Sequence, residues 1–507
     1  MTPRVHASCV RSHVCHARRR VAGCSLAALV GSIIVAAASS PAHAQLTAQQ
    51  LAGLKPKVTT ILRQATAPSA EEKKVIEEYF TKSFFPALAS DDPIQLGQLA
   101  KNRKDLFAQF INVKGSPDAR NHLLNLTISN VGRMAVGKYH PAIRYNAVLI
   151  IGQLDKELAA SASTAPTPLP AGTNALIALV ENAEFNKVPV PSSVKVAALI
   201  GLDRHTRFGV DPQFAERITK AALAVATRTE APDDVSPEVD DWMRRLAFRV
   251  LANQFAAGLT APVSDAMANF LANKRVNIDD RCGVAELLKK EMFPAGQGVE
   301  PAPVAVALGS LAKETLAFEA KEAAAYNKAM LGDAGSTIGV GSRMSSPEMG
   351  FRGPEGGMGY GASPLADDGT KFKKRRMLDR VNVLRGAAVA LANAGGSDEV
   401  KQRMTDLAAP LKTTFDIGVD PDEADLDVAK AVINASKEVS NLVSKWVPAD
   451  EPAADDEEPF ADAAEAAVEA PGADAAPAVE AAAPAEAPAA EAATPEAEAP
   501  VAEAPAN

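Results

Sequence analysis

HPAIRYNAVLIIGQL, residues 140–154, decides the architecture of this chain, because its order of residue types returns along the sequence. A proline stands in the first turn, where its missing N–H costs nothing. Ile143-Arg144, Ala147, Ile151-Gly152 and Leu154 then follow at the three- and four-residue spacing of one helix face. PSSVKVAALIGLDRH (191–205) repeats the order with Val194-Lys195, Ala198, Gly201 and Leu202. WMRRLAFRVLANQF (242–255) supplies Met243-Arg244, Ala247 and Leu251. DDRCGVAELLKK (279–290) keeps Arg281 and Leu288 with Ala285 one residue late, and a fifth copy lies at Val383–Leu391. The basic positions 144, 195, 244 and 281 are 51, 49 and 37 residues apart. That straddles the period of about 40–47 residues expected of stacked helix pairs, with loops added or trimmed.

The rest of the stretch from Gln45 to Val447 is also helical in pattern. Ser69-Ala-Glu-Glu72 is a capping box, and Ser116-Pro117 and Ser236-Pro237 put an N-cap before a first-turn proline. Asp420-Pro421-Asp422-Glu423 gathers acids where a helix dipole is positive. Apolar runs such as Leu96, Leu99, Leu106, Phe107, Phe110 follow these starts, and alternating strand patterns with Asn-Gly or Asp-Gly turns are absent. The expected class is all-α. Aromatics make up only 5% of the chain, which suits closely packed helix pairs better than a large globular core.

The recurring segment resembles the second helix of the HEAT family, with its hydrophobic-Arg-x-x-Ala-x-x-x-Leu signature. The resemblance spans roughly residues 118 to 292 and extends weakly into the flanks. It departs from the pattern where Lys195 replaces Arg, where Ile151 replaces Leu, and where an inter-repeat aspartate is clear only at Asp279-Asp280. The resemblance implies a HEAT-like α-solenoid of antiparallel helix pairs. In it, Arg144, Lys195, Arg244 and Arg281 lie near inter-repeat turns, and the small Ala147, Ala198, Ala247 and Ala285 let helices approach. Such stacks present a long surface that binds proteins or peptides without catalytic groups.

Composition shifts mark the domain organisation. Residues 1–44 carry five arginines and no acid, then an apolar run from Val21 to Ala38 and an Ala42-His-Ala44 site. This reads as a signal peptide cleaved near Ala44/Gln45, making the chain exported, periplasmic or secreted. An uncleaved anchor is the competing reading, since the run approaches the ~20 residues of a membrane span; after cleavage no transmembrane helix is expected. Val21-Ala22-Gly23-Cys24 has lipobox residue types but precedes the apolar run, and Arg18–Arg20 lack the surroundings of a twin-arginine signal. Residues 45–331 are assigned to the repeat body, 332–370 to a Gly/Met-rich flexible loop, and 371–447 to a C-terminal helical hairpin or bundle. Residues 448–507 form an Ala/Pro/Glu-rich tail whose 16 acids are accompanied by no Lys or Arg and a single aromatic, Phe460. With Pro every few residues and almost no core formers, the tail is expected to be disordered. The total of −9 falls on that tail, leaving the body near neutral.

Residue types in the body argue against an enzyme. Past the signal only His122, His140, His205 and Cys282 remain of their kinds, with no His-Glu-x-x-His pair, so no metal and no cofactor is expected. His140 reads as a helix cap and Cys282 as a small buried thiol. Ser192-Ser-Val-Lys195 matches S-x-x-K formally but lacks the partner motifs and the α/β setting of that chemistry. DIGVDPDEADLD (416–427) fails the calcium-loop spacing, and the glycines at 356–361 follow no strand. One cluster stands out. Lys371, Lys373, Lys374, Arg375, Arg376, Arg380 and Arg385 sit at a helix start, where the dipole disfavours cations. It suggests an anion site for the acidic tail, an anionic envelope polymer or lipid headgroups; nucleic acid is not expected of an exported chain with a neutral body. The sequence therefore points to an exported, non-enzymatic binding scaffold for a protein or peptide partner. The alternative is a structural or tethering component of the bacterial cell envelope.

Overall fold

The computed structural model describes residues 48–446 except 162, 297–298 and 332–372. The expected signal peptide (1–44), the Gly/Met-rich loop (332–370), Lys371 and the acidic tail (448–507) lie outside the described residues.

The described chain is mostly helical. α1 (Ala48–Arg63) leads to α2 (Ala70–Tyr79), which runs through a π-helical turn (Phe80–Phe84) into α3 (Phe85–Leu88). α4 (Pro93–Asp105) likewise ends in a π-helical turn (Leu106–Ile111). The wide turns bring Phe80 and Phe84 to within 5.2 and 6.0 Å of the Phe110 ring, centroid to centroid, an aromatic plug at this end of the core. There follow α5 (Pro117–Val136), α6 (Pro141–Ile151), α7 (Pro170–Glu181), α8 (Ser192–Phe208), α9 (Ala215–Ala226), α10 (Pro237–Gln254), α11 (Ala261–Ala272) and α12 (Ile278–Ala285). α13 (Ala302–Leu331), α14 (Lys374–Ala392), α15 (Asp398–Val419) and α16 (Asp425–Val443) complete the set.

Packing follows the repeats found in the sequence. All five motif segments fall on alternate helices, α6, α8, α10, α12 and α14, and each of these touches the next. The intervening helices α5, α7, α9, α11 and α13 also touch in order, and each pairs with the motif helix that follows it. Ala147, Ala198, Ala247 and Ala285 are buried in these contacts. Where α6 meets α8 the approach is glycine on glycine: a Cβ added to Gly152 would stand 2.7 Å from Gly201 Cα. Both glycines come from the repeated motif, so its small positions serve one crossing.

Capping bears out some helix starts and moves others. Ser69 Oγ accepts from Glu72 N (3.2 Å) while Ser69 N donates to the Glu72 carboxylate (2.7 Å), a complete capping box. α5 and α10 start at Pro117 and Pro237, though Ser116 and Ser236 make no side-chain cap. The last helix begins at Asp425 rather than beside Pro421; Asp420 instead accepts from Asp422 N (2.9 Å) in the preceding turn.

Two small antiparallel pairs escaped the sequence reading: β1 (Asp155–Glu157) with β2 (Thr167–Pro168), and β3 (Glu184–Phe185) with β4 (Val188–Pro189). Strands of two or three residues are too short for a period-two pattern. The second hairpin also turns on Asn186-Lys187, both at positive φ, in place of Asn-Gly. The helices after residue 372 share the core of the rest: α14 packs on α12 and α13, and α16 on α13 and α15.

Candidate binding surface

The four aligned basic positions do different work. Arg144 Nε donates to Ala135 O (3.0 Å) at the end of α5, and Arg244 Nε donates to Ala226 O (3.2 Å) at the end of α9. Each thus satisfies a last-turn carbonyl that its own helix leaves open. Arg281 is almost fully buried and forks onto Glu314 of α13 (2.8 and 2.6 Å). Lys195 is half-buried; burial first, then the nearby Arg228, lowers its ammonium pKa against the pull of Asp234.

A second set of polar contacts, of which the sequence pattern marks only Asp279-Asp280, joins α4 and the motif helices in turn. Arg103 of α4 donates to Asn146 of α6 (2.6 Å). Arg204 of α8 forks onto Asp155 just past α6 (2.8 and 2.7 Å). Asp203 of α8 accepts from Arg249 (2.8 Å) and Asn253 (3.0 Å) of α10. Arg245 of α10 pairs with Asp280 of α12 (3.2 Å), and Asp279 of α12 accepts from Arg380 Nε of α14 (2.7 Å). Half-buried Tyr145, Leu149, Ile200 and Trp242 occur on the same helices. Arginine beside tyrosine and tryptophan is the composition of interface hot spots. The sequence signal was the pairing of charges at adjacent positions, as in Asp203-Arg204, whose partners lie about one repeat away.

The basic cluster is largely absorbed by acids of the same chain. Lys371 lies outside the described residues, and Lys373 and Arg375 are exposed. Lys374 pairs with Asp425 of α16 (3.4 Å), and Arg376 reaches Glu322 (2.6 Å) and Glu319 (3.4 Å) of α13. Arg380 joins Glu319 (2.6 Å) to Asp279, and Arg385 lies 4.6 Å over the Phe415 ring. A dipole opposes a cation here by about 0.3–1 kcal/mol, whereas leaving a buried carboxylate such as Glu319 unpaired costs several times that. Interhelix pairing therefore outweighs the dipole and accounts for the choice of residues. The hydrogen bond from Arg380 holds the Asp279 carboxyl below the usual range, with burial opposing it.

Groups with chemical potential elsewhere are occupied structurally. His140 Nδ1 accepts from Ala142 N (3.2 Å) as the cap of α6. Burial pushes the Cys282 thiol up to about 12, far from a reactive thiolate. Ser192 Oγ and N both donate to the Asp234 carboxylate (2.6 and 2.7 Å), so Ser192 is tied into a cap. A cleft of about 580 Å³ between α9, α10 and α11 is lined by Arg228, Asp240, Asp241, Arg244, Phe270 and Arg275. Burial raises the Asp241 carboxyl, but Arg228 pairs with Asp240 and Arg244 with Asp241, so these charges cancel within the wall. Among the described residues no group of three His, Cys, Asp or Glu could hold a metal, and no helix is long and apolar enough to cross a membrane. No family model, no curated protein and no solved structure matches the chain.

Proposed function

We propose that the chain is an exported, non-enzymatic scaffold, a HEAT-like α-solenoid of antiparallel helix pairs that takes a protein or peptide partner across the motif helices. The observation that carries the reading is the run of cross-helix contacts from Arg103 through Arg204, Arg249 and Arg245 to Arg380, one set for the step from α4 to α6 and one for each step between successive motif helices. In the half-buried Arg103, Arg204, Arg245 and Arg249 those contacts use up part of the guanidinium and hold the rest in place, so a partner meets pre-oriented donors and loses little side-chain entropy on binding. On the same helices the half-buried Trp242 and Tyr145 supply apolar anchors of the kind that dominate interface energies. Export follows from the leader-like first 44 residues.

The test is position-specific crosslinking in the native envelope. A photo-reactive residue at 149, 200 or 242 should trap the same partner, and one at Lys220 or Lys313 on the intervening helices should not. Equal trapping from both sets would sink the assignment of this face. Recovery of a mature chain beginning near Gln45 from the exported fraction checks the leader; a full-length cytoplasmic chain would refute it.

A further inference from the structure

The helices between the motif helices leave a different feature. α5 and α7 frame an apolar groove of about 410 Å³ whose walls include Ile128, Gly132 and Val136 on one side and Ala175, Leu179 and Phe185 on the other. A Cβ added to Gly132 would meet nothing within 4 Å, so the groove is open there. Its α7 wall is unusual for a surface helix. From Pro170 to Val180 that helix has no charged side chain, and its outward positions Ala171, Asn174, Ala175 and Ala178 all line the groove. A face meant for water normally carries charges; one without them fits cover by apolar matter.

The single charge among the lining residues is Arg133. Its guanidinium donates to Asn130 Oδ1 (2.6 Å) and, among the described residues, to no carboxylate, unlike Arg228 and Arg244 of the α9–α11 cleft, which are neutralised in place. An apolar trough with one uncompensated cation at its edge complements a ligand that has an apolar chain and one negative end. We propose that this groove binds a single-chain anionic amphiphile, a free long-chain carboxylate. Its alkyl chain lies between α5 and α7, and its carboxylate pairs with Arg133. This site is independent of the motif-helix face, so either can stand without the other.

Calorimetric titration of the full chain with dodecanoate and decanoate below their aggregation concentrations tests the proposal. Saturable one-to-one binding is expected, weakening roughly fourfold for each methylene removed from the chain. Decanol should bind at least tenfold more weakly than decanoate, and Arg133→Gln should erase that difference while leaving decanol binding unchanged. Gly132→Phe and Ala175→Phe, which fill the groove from opposite walls, should each abolish binding with unchanged far-UV circular dichroism. Absence of saturable binding in the parent chain would overturn the proposal. So would dodecanoate binding that survives both groove-filling variants. Capture by anionic vesicles, or by an acidic amphipathic peptide, without binding of free dodecanoate would assign the groove to a membrane or protein partner and equally refute it.

Discussion

Between α7 and α8, His205 is fully buried and shares a 3.0 Å hydrogen bond with Thr173 Oγ1. Burial, aided by the charge of Arg204, depresses its pKa from 6.5 to about 4. The folded state thus keeps the imidazole neutral where the unfolded chain protonates it. The stability tied to that neutral ring is fully present above pH 6.5 and is lost as pH falls toward 4, by up to roughly 3 kcal/mol. Urea melts of the parent and of His205→Gln at pH 4.5 and 7.5 check this; equal losses in both proteins would show that His205 does not carry the effect. Ala198 makes the complementary point about volume. It is fully buried on α8, which packs against α6, α7 and α10. Ala198→Leu should overpack the site and cost ~1–3 kcal/mol. A melting temperature equal to that of the parent would remove Ala198 from the helix contact.

Helix α8 takes its cap from a distant loop. Its N-cap residue is Pro191, which offers no side-chain acceptor, and Asp234, 42 positions beyond Ser192, receives the Ser192 N–H and hydroxyl. Burial raises the Asp234 carboxyl, but these two hydrogen bonds and the charge of Lys195 outweigh it and hold the group below its usual range. The stabilisation is therefore present above the unfolded carboxylate pKa and disappears as pH falls through the folded one. Asp234→Ala should cost about 1 kcal/mol at neutral pH, the usual worth of an N-cap, and the deficit should vanish in acid. A deficit that persists at acid pH would assign the loss to packing. A second element-scale lock closes the described chain. The Trp446 ring lies so near α13 that a Cβ on Gly309 would stand 2.1 Å from it, and the guanidinium of Arg403 on α15 lies over the ring at 6.0 Å. In a Trp242→Phe background, Gly309→Val should expel the indole and red-shift its fluorescence. An unshifted spectrum would mean that the C-terminal turn adapts without losing the contact.

Across the whole described body, charge holds the final helices to those before them. Arg380 on α14 bridges Asp279 on α12 and Glu319 on α13, and the Glu319 side chain is 1% exposed. Without Arg380 the buried Glu319 keeps only the longer contact to Arg376 (3.4 Å), so Arg380→Met should cost somewhat less than the ~3–5 kcal/mol of a fully stranded charge, and adding Glu319→Leu should restore most of it. A double variant as unstable as Arg380→Met alone would show that the pair contributes shape rather than charge balance. One continuous core runs from Val58 to Val443. Fluorescence from Trp242 and from Trp446, read in single-tryptophan variants, should therefore report a single shared unfolding midpoint.

Helix class and repeat order were legible in the sequence because they rest on local facts: apolar spacing, prolines in first turns, and small residues at one recurring position. The motif segments consequently marked every second helix from α6 to α14. The roles of the charged residues were not legible. Arg144 and Arg244 cap the ends of other helices, Arg281 pairs with Glu314, and Lys374, Arg376 and Arg380 face acids on α12, α13 and α16. An ion pair's partner is set by which helices stack side by side, and the separations of up to 101 residues seen here leave no local trace. The groove between α5 and α7 is of the same kind. Sequence determined that α7 carries no charge until Glu181, but only the tertiary packing decided that its uncharged outer face stands open beside Arg133.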